Sequence, residues 1–125
     1  MMSSTAISIL LVEDDASLQA SLREFLDDHG YQTFAAGSRV EGTELVRRLR
    51  PAVCILDMNL PDGSGAEVLR VIAQENLGVR VIVMTAFPVE HLRGRYAESV
   101  LRAVLVKPVS PEALLETVAR IAAGG

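Results

Sequence analysis

One cysteine in 125 residues leaves no disulfide to support the fold, and a reducing cytoplasm is the setting this implies. No apolar run approaches the ~18 residues that a membrane helix needs, so a membrane-spanning role is not expected. The amino-terminal stretch Met1-Met2-Ser3-Ser4-Thr5 lacks the basic region of a signal peptide. There is no surplus of positive charge. At a net charge of −4 the chain is not built to coat nucleic acid or an anionic membrane. Internal repeats, linkers and low-complexity stretches are also missing, and the whole of 1–125 reads as one domain.

What is present is apolar and alternating. Half the residues are hydrophobic and 22% are charged, a composition that excludes disorder. The run Ala52-Val53-Cys54-Ile55-Leu56 ends abruptly at Asp57, and the turn-forming Pro61-Asp62-Gly63 follows. Too short for a helix and β-branched at Val53 and Ile55, it reads as a strand covered on both faces. Further strands are expected over Ile7 to Val12, Tyr31 to Ala35, Val79 to Met84 and Ala103 to Val106.

Helical patterns fill the intervals. Leu18, Leu22, Phe25 and Leu26 form one buried stripe, closed by His29-Gly30. Ser38 with Glu41, and Ser64 with Glu67, have capping-box spacing at two further helix starts. Phe87-Pro88 breaks the pattern, and a helix from about Val89 to Leu101 must accommodate Gly94. Ser110 caps the final helix with Pro111 at its first position. Strict alternation of strand and helix gives an α/β fold, a parallel sheet with helices on both faces.

The polar residues at the strand ends carry the chemistry, because open α/β sheets bind ligands there. Glu13 and Asp14 follow the first strand, Asp57 the third, Thr85 the fourth and Lys107 the fifth. Three converging carboxylates repel one another unless a cation holds them. An all-oxygen ligand set suits a hard ion such as Mg²⁺, and a lysine and a hydroxyl opposite it suit a tetrahedral anion. The chemistry that fits is phosphoryl transfer to a carboxylate nucleophile.

Together, Val12-Glu13-Asp14, Asp57-Met58-Asn59-Leu60-Pro61-Asp62-Gly63, Thr85-Ala86 and Lys107-Pro108 resemble the receiver domain of two-component response regulators, of the chemotaxis single-domain type. The resemblance spans essentially the whole chain. It implies a doubly wound, flavodoxin-like sheet of strand order 2-1-3-4-5. It makes Asp57 the acceptor of a phosphoryl group from a sensor histidine kinase or a histidine phosphotransfer protein. Mg²⁺ would be held by Asp14, Asp57, Glu13 and the Asn59 backbone carbonyl. Thr85 and Lys107 would contact the phosphoryl oxygens, Ala86 would keep the entrance open, and Lys107-Pro108 would be cis. The domain would be a cytoplasmic signalling module, monomeric or weakly dimeric, that acts enzymatically only on its own phosphorylation. It would not itself bind nucleic acid.

Two positions depart from the family pattern. Val104 stands where the family often has Tyr or Phe, and Leu101-Arg102 replaces its small Gly-Ala pair. With no ring to turn inward at 104, two outcomes remain: a relay of phosphoryl groups with little conformational output, or the favoured one, in which the segment Phe87 to Arg102 is itself the moving part. Two other functions are disfavoured. An aspartate-nucleophile phosphatase needs an acid two residues after its nucleophile, where Asn59 stands. A flavin module needs a Ser/Thr/Gly phosphate loop, where Glu13-Asp14-Asp15 stands.

The other polar residues have plainer readings. Asp15 is expected to cap a helix and Asp62 to serve only the turn. His29 and His91 lack partners at metal spacing, Cys54 is expected to be buried and inert, and Arg93, Arg95 and Arg102 read as a solvated face.

Overall fold

The unbroken apolar character of the strands is satisfied by covering both sides of one sheet. In the computed structural model, which describes residues 6–86 and 94–124, that sheet is built from β1 (Ser8–Val12), β2 (Gln32–Ala36), β3 (Val53–Asp57), β6 (Arg80–Thr85) and β7 (Leu101–Val106). Four helices are described: α1 (Ala16–Asp28), α2 (Arg39–Leu49), α3 (Ala66–Gln74) and α4 (Pro111–Ala122). All sheet pairings are parallel, and the spatial order is β2-β1-β3-β6-β7. Numbered within the sheet alone, this is the expected 2-1-3-4-5. A short antiparallel ribbon, β4 (Asn59–Leu60) with β5 (Gly63–Ser64), was not foreseen.

Successive strand side chains point to opposite faces, so each strand contributes to two cores. Leu10, Val12, Cys54, Leu56, Val81 and Val83 pack with Val46 of α2 and Val68, Leu69 and Ile72 of α3. Ile9, Leu11, Val53, Ile55, Ile82 and Met84 pack on the other side with Leu22 and Leu26 of α1 and Leu114, Val118 and Ile121 of α4. Cys54 is fully buried, and burial pushes its thiol up to about 12, which leaves it protonated and inert.

Local signals account for three of the helix starts. Asp15 accepts from the Leu18 amide, Ser38 from Glu41 and Ser110 from Ala113, with Pro111 opening α4. The Glu41 carboxylate reaches back to the Gly37 amide at 2.8 Å, one residue earlier than a standard capping box places it.

The second expected box does not form. Gly65 is the N-cap of α3 and offers no side chain, while Ser64 is held in the β5 ribbon and bonds the Ala66 amide. Glu67 instead pairs with Arg70. The reason lies in packing: a Cβ at residue 65 would stand 2.2 Å from the Asp57 carbonyl oxygen, so only glycine permits this approach.

Asp62 does more than turn the chain. Its carboxylate accepts from the Arg39 amide at 2.7 Å and the Val40 amide at 3.0 Å, capping α2 from 23 and 22 residues away. These amides, Arg39 first, hold its pKa below the ordinary 3.8. The tie therefore contributes at neutral pH and is lost as pH falls through that lowered value.

The expected helix from Val89 to Leu101 falls partly outside the described residues. Its described portion is not helical: Gly94 has a left-handed φ of +94°, Gly94 to Val100 forms turns, and Leu101 already belongs to β7. His91 and Arg93 lie outside the described residues, as does most of the first half of the segment expected to move.

Gly65→Ala should lower the unfolding free energy by about 3 kcal/mol, the upper end of ordinary overpacking, because the obstacle is backbone. Urea unfolding would measure it. An unchanged midpoint would contradict the close approach to Asp57.

Candidate functional site

Parallel register decides which residues meet. Val12 pairs with Leu56, so Glu13 and Asp57, the next residue on each strand, emerge side by side at the carboxyl edge. Asp57 pairs with Met84 and Thr85 with Val106, which brings Thr85 and Lys107 to the same edge. The Lys107 amide donates to the Thr85 carbonyl at 2.7 Å, fastening the two strand ends together. The Lys107-Pro108 bond is cis, as expected.

The centre of the site is an ion triad. The Lys107 ammonium donates to Glu13 Oε1 at 2.8 Å and to Asp57 Oδ2 at 2.9 Å. Asp57 Oδ1 accepts from the Asn59 amide at 2.9 Å, and Glu13 Oε2 accepts from the Asp15 amide at 3.0 Å. Glu13, Asp57 and Thr85 are buried, whereas the Lys107 side chain keeps 24% of its surface. Asp14 is exposed, and no hydrogen bond among the described residues holds its carboxylate.

Burial raises the pKa of Glu13 above 4.5, outweighing the bonds from Lys107 and the Asp15 amide that pull it down; the Asp57 charge raises it further. Burial alone would lower Lys107. Its bonds to Glu13 and Asp57 prevail, and its pKa lies above 10.5, so the ammonium stays charged.

Carboxylate oxygens of Glu13, Asp14 and Asp57 all lie within 4.8 Å of one another, the one group of metal-competent acids found among the described residues. Three acids against one ammonium leave an excess of negative charge, and every donor is oxygen. That set fits a hard divalent cation. Asn59 follows in β4, where its amide already orients Asp57, and Ala86 is exposed at the rim.

Val104 is half-buried and packs against the α2/α3 core, as do Tyr96, Val100 and Leu101. His29 is exposed and bonds the Phe25 carbonyl, away from any metal group. Of the arginines read as a solvated face, Arg95 is exposed and Arg102 is half-buried in β7. Sequence reasoning overlooked Gln19, whose amide bonds the backbone of Glu13, because a lone glutamine on a helix looks like surface.

The response regulator receiver domain family matches residues 9–119. The chain belongs to the response-regulator receiver family. This receiver is 35% identical over 79 residues to sporulation initiation phosphotransferase F of Bacillus subtilis, a match spanning 63% of this chain and 64% of that protein. It is 28% identical over 113 residues to the polar-differentiation response regulator DivK of Brucella anthropi, covering 89% and 92% of the two chains. Among solved structures it superposes on a CheY-like receiver domain protein from Methanospirillum hungatei with a TM-score of 0.87 and 25% identity, covering 96% of each chain. The non-phosphorylated HemR receiver domain of Leptospira biflexa gives a TM-score of 0.82 at 29% identity, covering 92% of this chain and 93% of that one.

Lys107→Ala should leave Glu13 and Asp57 facing each other without a cation. At neutral pH and without divalent metal it should cost about 1–3 kcal/mol, less than a fully buried pair because Lys107 is partly exposed. Glu13 already binds its proton more tightly folded than unfolded, and losing Lys107 raises its pKa further. The variant should therefore regain stability as pH falls through that raised value. Chemical denaturation at a series of pH values checks this; a deficit independent of pH would contradict it.

Proposed function

We propose that Asp57 is the phosphoacceptor of a two-component signalling pathway. The observation that supports this best is the Lys107 ammonium bound to Asp57 and Glu13 at once, with Asp14 alongside. One Asp57 oxygen attacks the phosphorus of a phosphohistidine on a sensor kinase or a histidine phosphotransfer protein. The O–P bond forms as the P–N bond breaks, and the leaving imidazole takes up a proton. The Asn59 amide fixes the Asp57 carboxylate during the attack.

Glu13, Asp14, Asp57 and the Asn59 carbonyl would hold Mg²⁺, which when bound offsets charge on the phosphoryl oxygens. Lys107 would exchange one carboxylate contact for a phosphoryl oxygen, and the Thr85 hydroxyl would donate to another. The small Ala86 leaves the approach open. The domain acts on no other substrate, and its only catalysis is gain and loss of its own phosphoryl group.

The phosphoryl signal leaves either by onward transfer or by a change of shape. Val104, with one stiff χ angle, is no rotating reporter, so a conformational output would use other residues. No helix of the described residues is long and apolar enough to cross a membrane. We assign the domain to the cytoplasm, where kinase phosphohistidine is presented.

With Mg²⁺ and acetyl phosphate, Asp57 alone should acquire a base- and hydroxylamine-labile phosphoryl group, and Asp57→Asn should acquire none. Mass spectrometry locates it; label on His29 or a serine would overturn the assignment.

Mg²⁺ alone should raise the melting temperature, with stabilisation of about 2.7 kcal/mol at a hundredfold excess over Kd. Asp14→Ala should lose most of that rise. A wild-type melt indifferent to millimolar Mg²⁺ would remove the metal from the mechanism.

A further inference from the structure

Gln19 lies on the second turn of α1, half-buried, and its side-chain nitrogen makes two backbone contacts. Nε2 donates to the Glu13 carbonyl at 2.8 Å and to the Ala36 carbonyl at 3.3 Å. The Glu13 amide donates to that same Ala36 carbonyl at 2.9 Å. These three bonds close a ring. It runs from the Glu13 N–H to the Ala36 oxygen, through the Gln19 amide, and back to the Glu13 carbonyl.

The Glu13 carbonyl belongs to the peptide group that joins Glu13 to Asp14. Fixing that plane places the Asp14 Cα and the N–Cα bond about which its Cβ turns, and the Asp15 amide, held by Glu13 Oε2 at 3.0 Å, restrains the peptide group on the other side of Asp14. Glu13 has other restraints, from Lys107 and the Asp15 amide. Asp14 has none on its carboxylate among the described residues, so its aim depends on the backbone behind it.

We infer that Gln19 is a positioning residue for the divalent-cation site: it pre-orients Asp14 by anchoring the Glu13–Asp14 peptide to the end of β2. The chemistry required is a two-proton donor with no need to accept. Leucine keeps the bulk and loses both donors. Arginine keeps donors in a planar fork and can reach the same carbonyls. The inference rests on the metal reading above.

The test is Mg²⁺ binding in the absence of any phosphodonor, followed by calorimetry and by the melting temperature across a Mg²⁺ titration. Gln19→Leu should raise the half-saturating Mg²⁺ concentration about tenfold, the size of effect expected when a ligand's supporting hydrogen bond is removed. Gln19→Arg should stay within about threefold of wild type. Melting without Mg²⁺ serves as the control for folding, since a merely structural role would lower it in the leucine variant and leave the Mg²⁺ titration where it was. Equal half-saturation in wild type, leucine and arginine variants overturns the inference. Should wild type itself bind no Mg²⁺, the metal reading fails first, which is a separate and recognisable result.

Discussion

Everything at the carboxyl edge depends on one ammonium standing between two buried carboxylates. Glu13 and Asp57 emerge together because β1 and β3 are adjacent, parallel and in register, and no rearrangement short of a register slip separates them. Repulsion between them is therefore built into the fold. Lys107 arrives from β7, 94 residues after Glu13, and is the sole lysine in the chain. Its reach across β6 ties the sheet's far edge to its centre, so the acidic pair and the strand order support each other.

A second constraint is the space behind Asp57. The start of α3 approaches the Asp57 carbonyl so closely that residue 65 carries no side chain. Between them the β4–β5 ribbon turns tightly, with Gly65 donating to the Met58 carbonyl at one end and Asp62 capping α2 at the other. The loop that orients Asp57 through the Asn59 amide is thus fastened to two helices. Such anchoring holds the loop beside Asp57 in one geometry even though most of its residues are exposed.

The sequence disclosed what depends on local pattern or on burial. Doubly covered strands read as short apolar runs, and Asp15, Ser38 and Ser110 read as caps, because the partners lie within a few residues. The strand-end acids and Lys107 were legible together, since a parallel sheet sends every strand end to one edge. What was missed acts over distance or against local preference. Asp62 caps a helix that precedes it in the chain, which no spacing rule anticipates. Ser64 and Glu67 had the right spacing, but the close approach of α3 to Asp57 placed a glycine at the cap. Gly94 was read as a tolerated helical glycine, whereas its positive φ belongs to a turn. Gln19 gave no signal, because a polar residue on a helix discloses nothing about which carbonyls lie beneath it.

The site is also where this otherwise consistent fold disagrees with itself. Two apolar cores sandwich the sheet with no charge inside them, yet at its edge burial drives Glu13 toward neutrality while Lys107 draws it toward ionisation. Burial prevails at Glu13 and the Asp57 charge beside it adds to the rise, while Lys107 keeps its own charge through its bonds to both carboxylates. Opposed effects at one buried group make this edge of the sheet the part of the fold most sensitive to added charge. A cation relieves the repulsion among the acids. An anion attached to Asp57, as proposed above, would compete with Glu13 for the same ammonium. The electrostatic conflict at this edge is therefore the feature through which the proposed phosphoryl group on Asp57 would act.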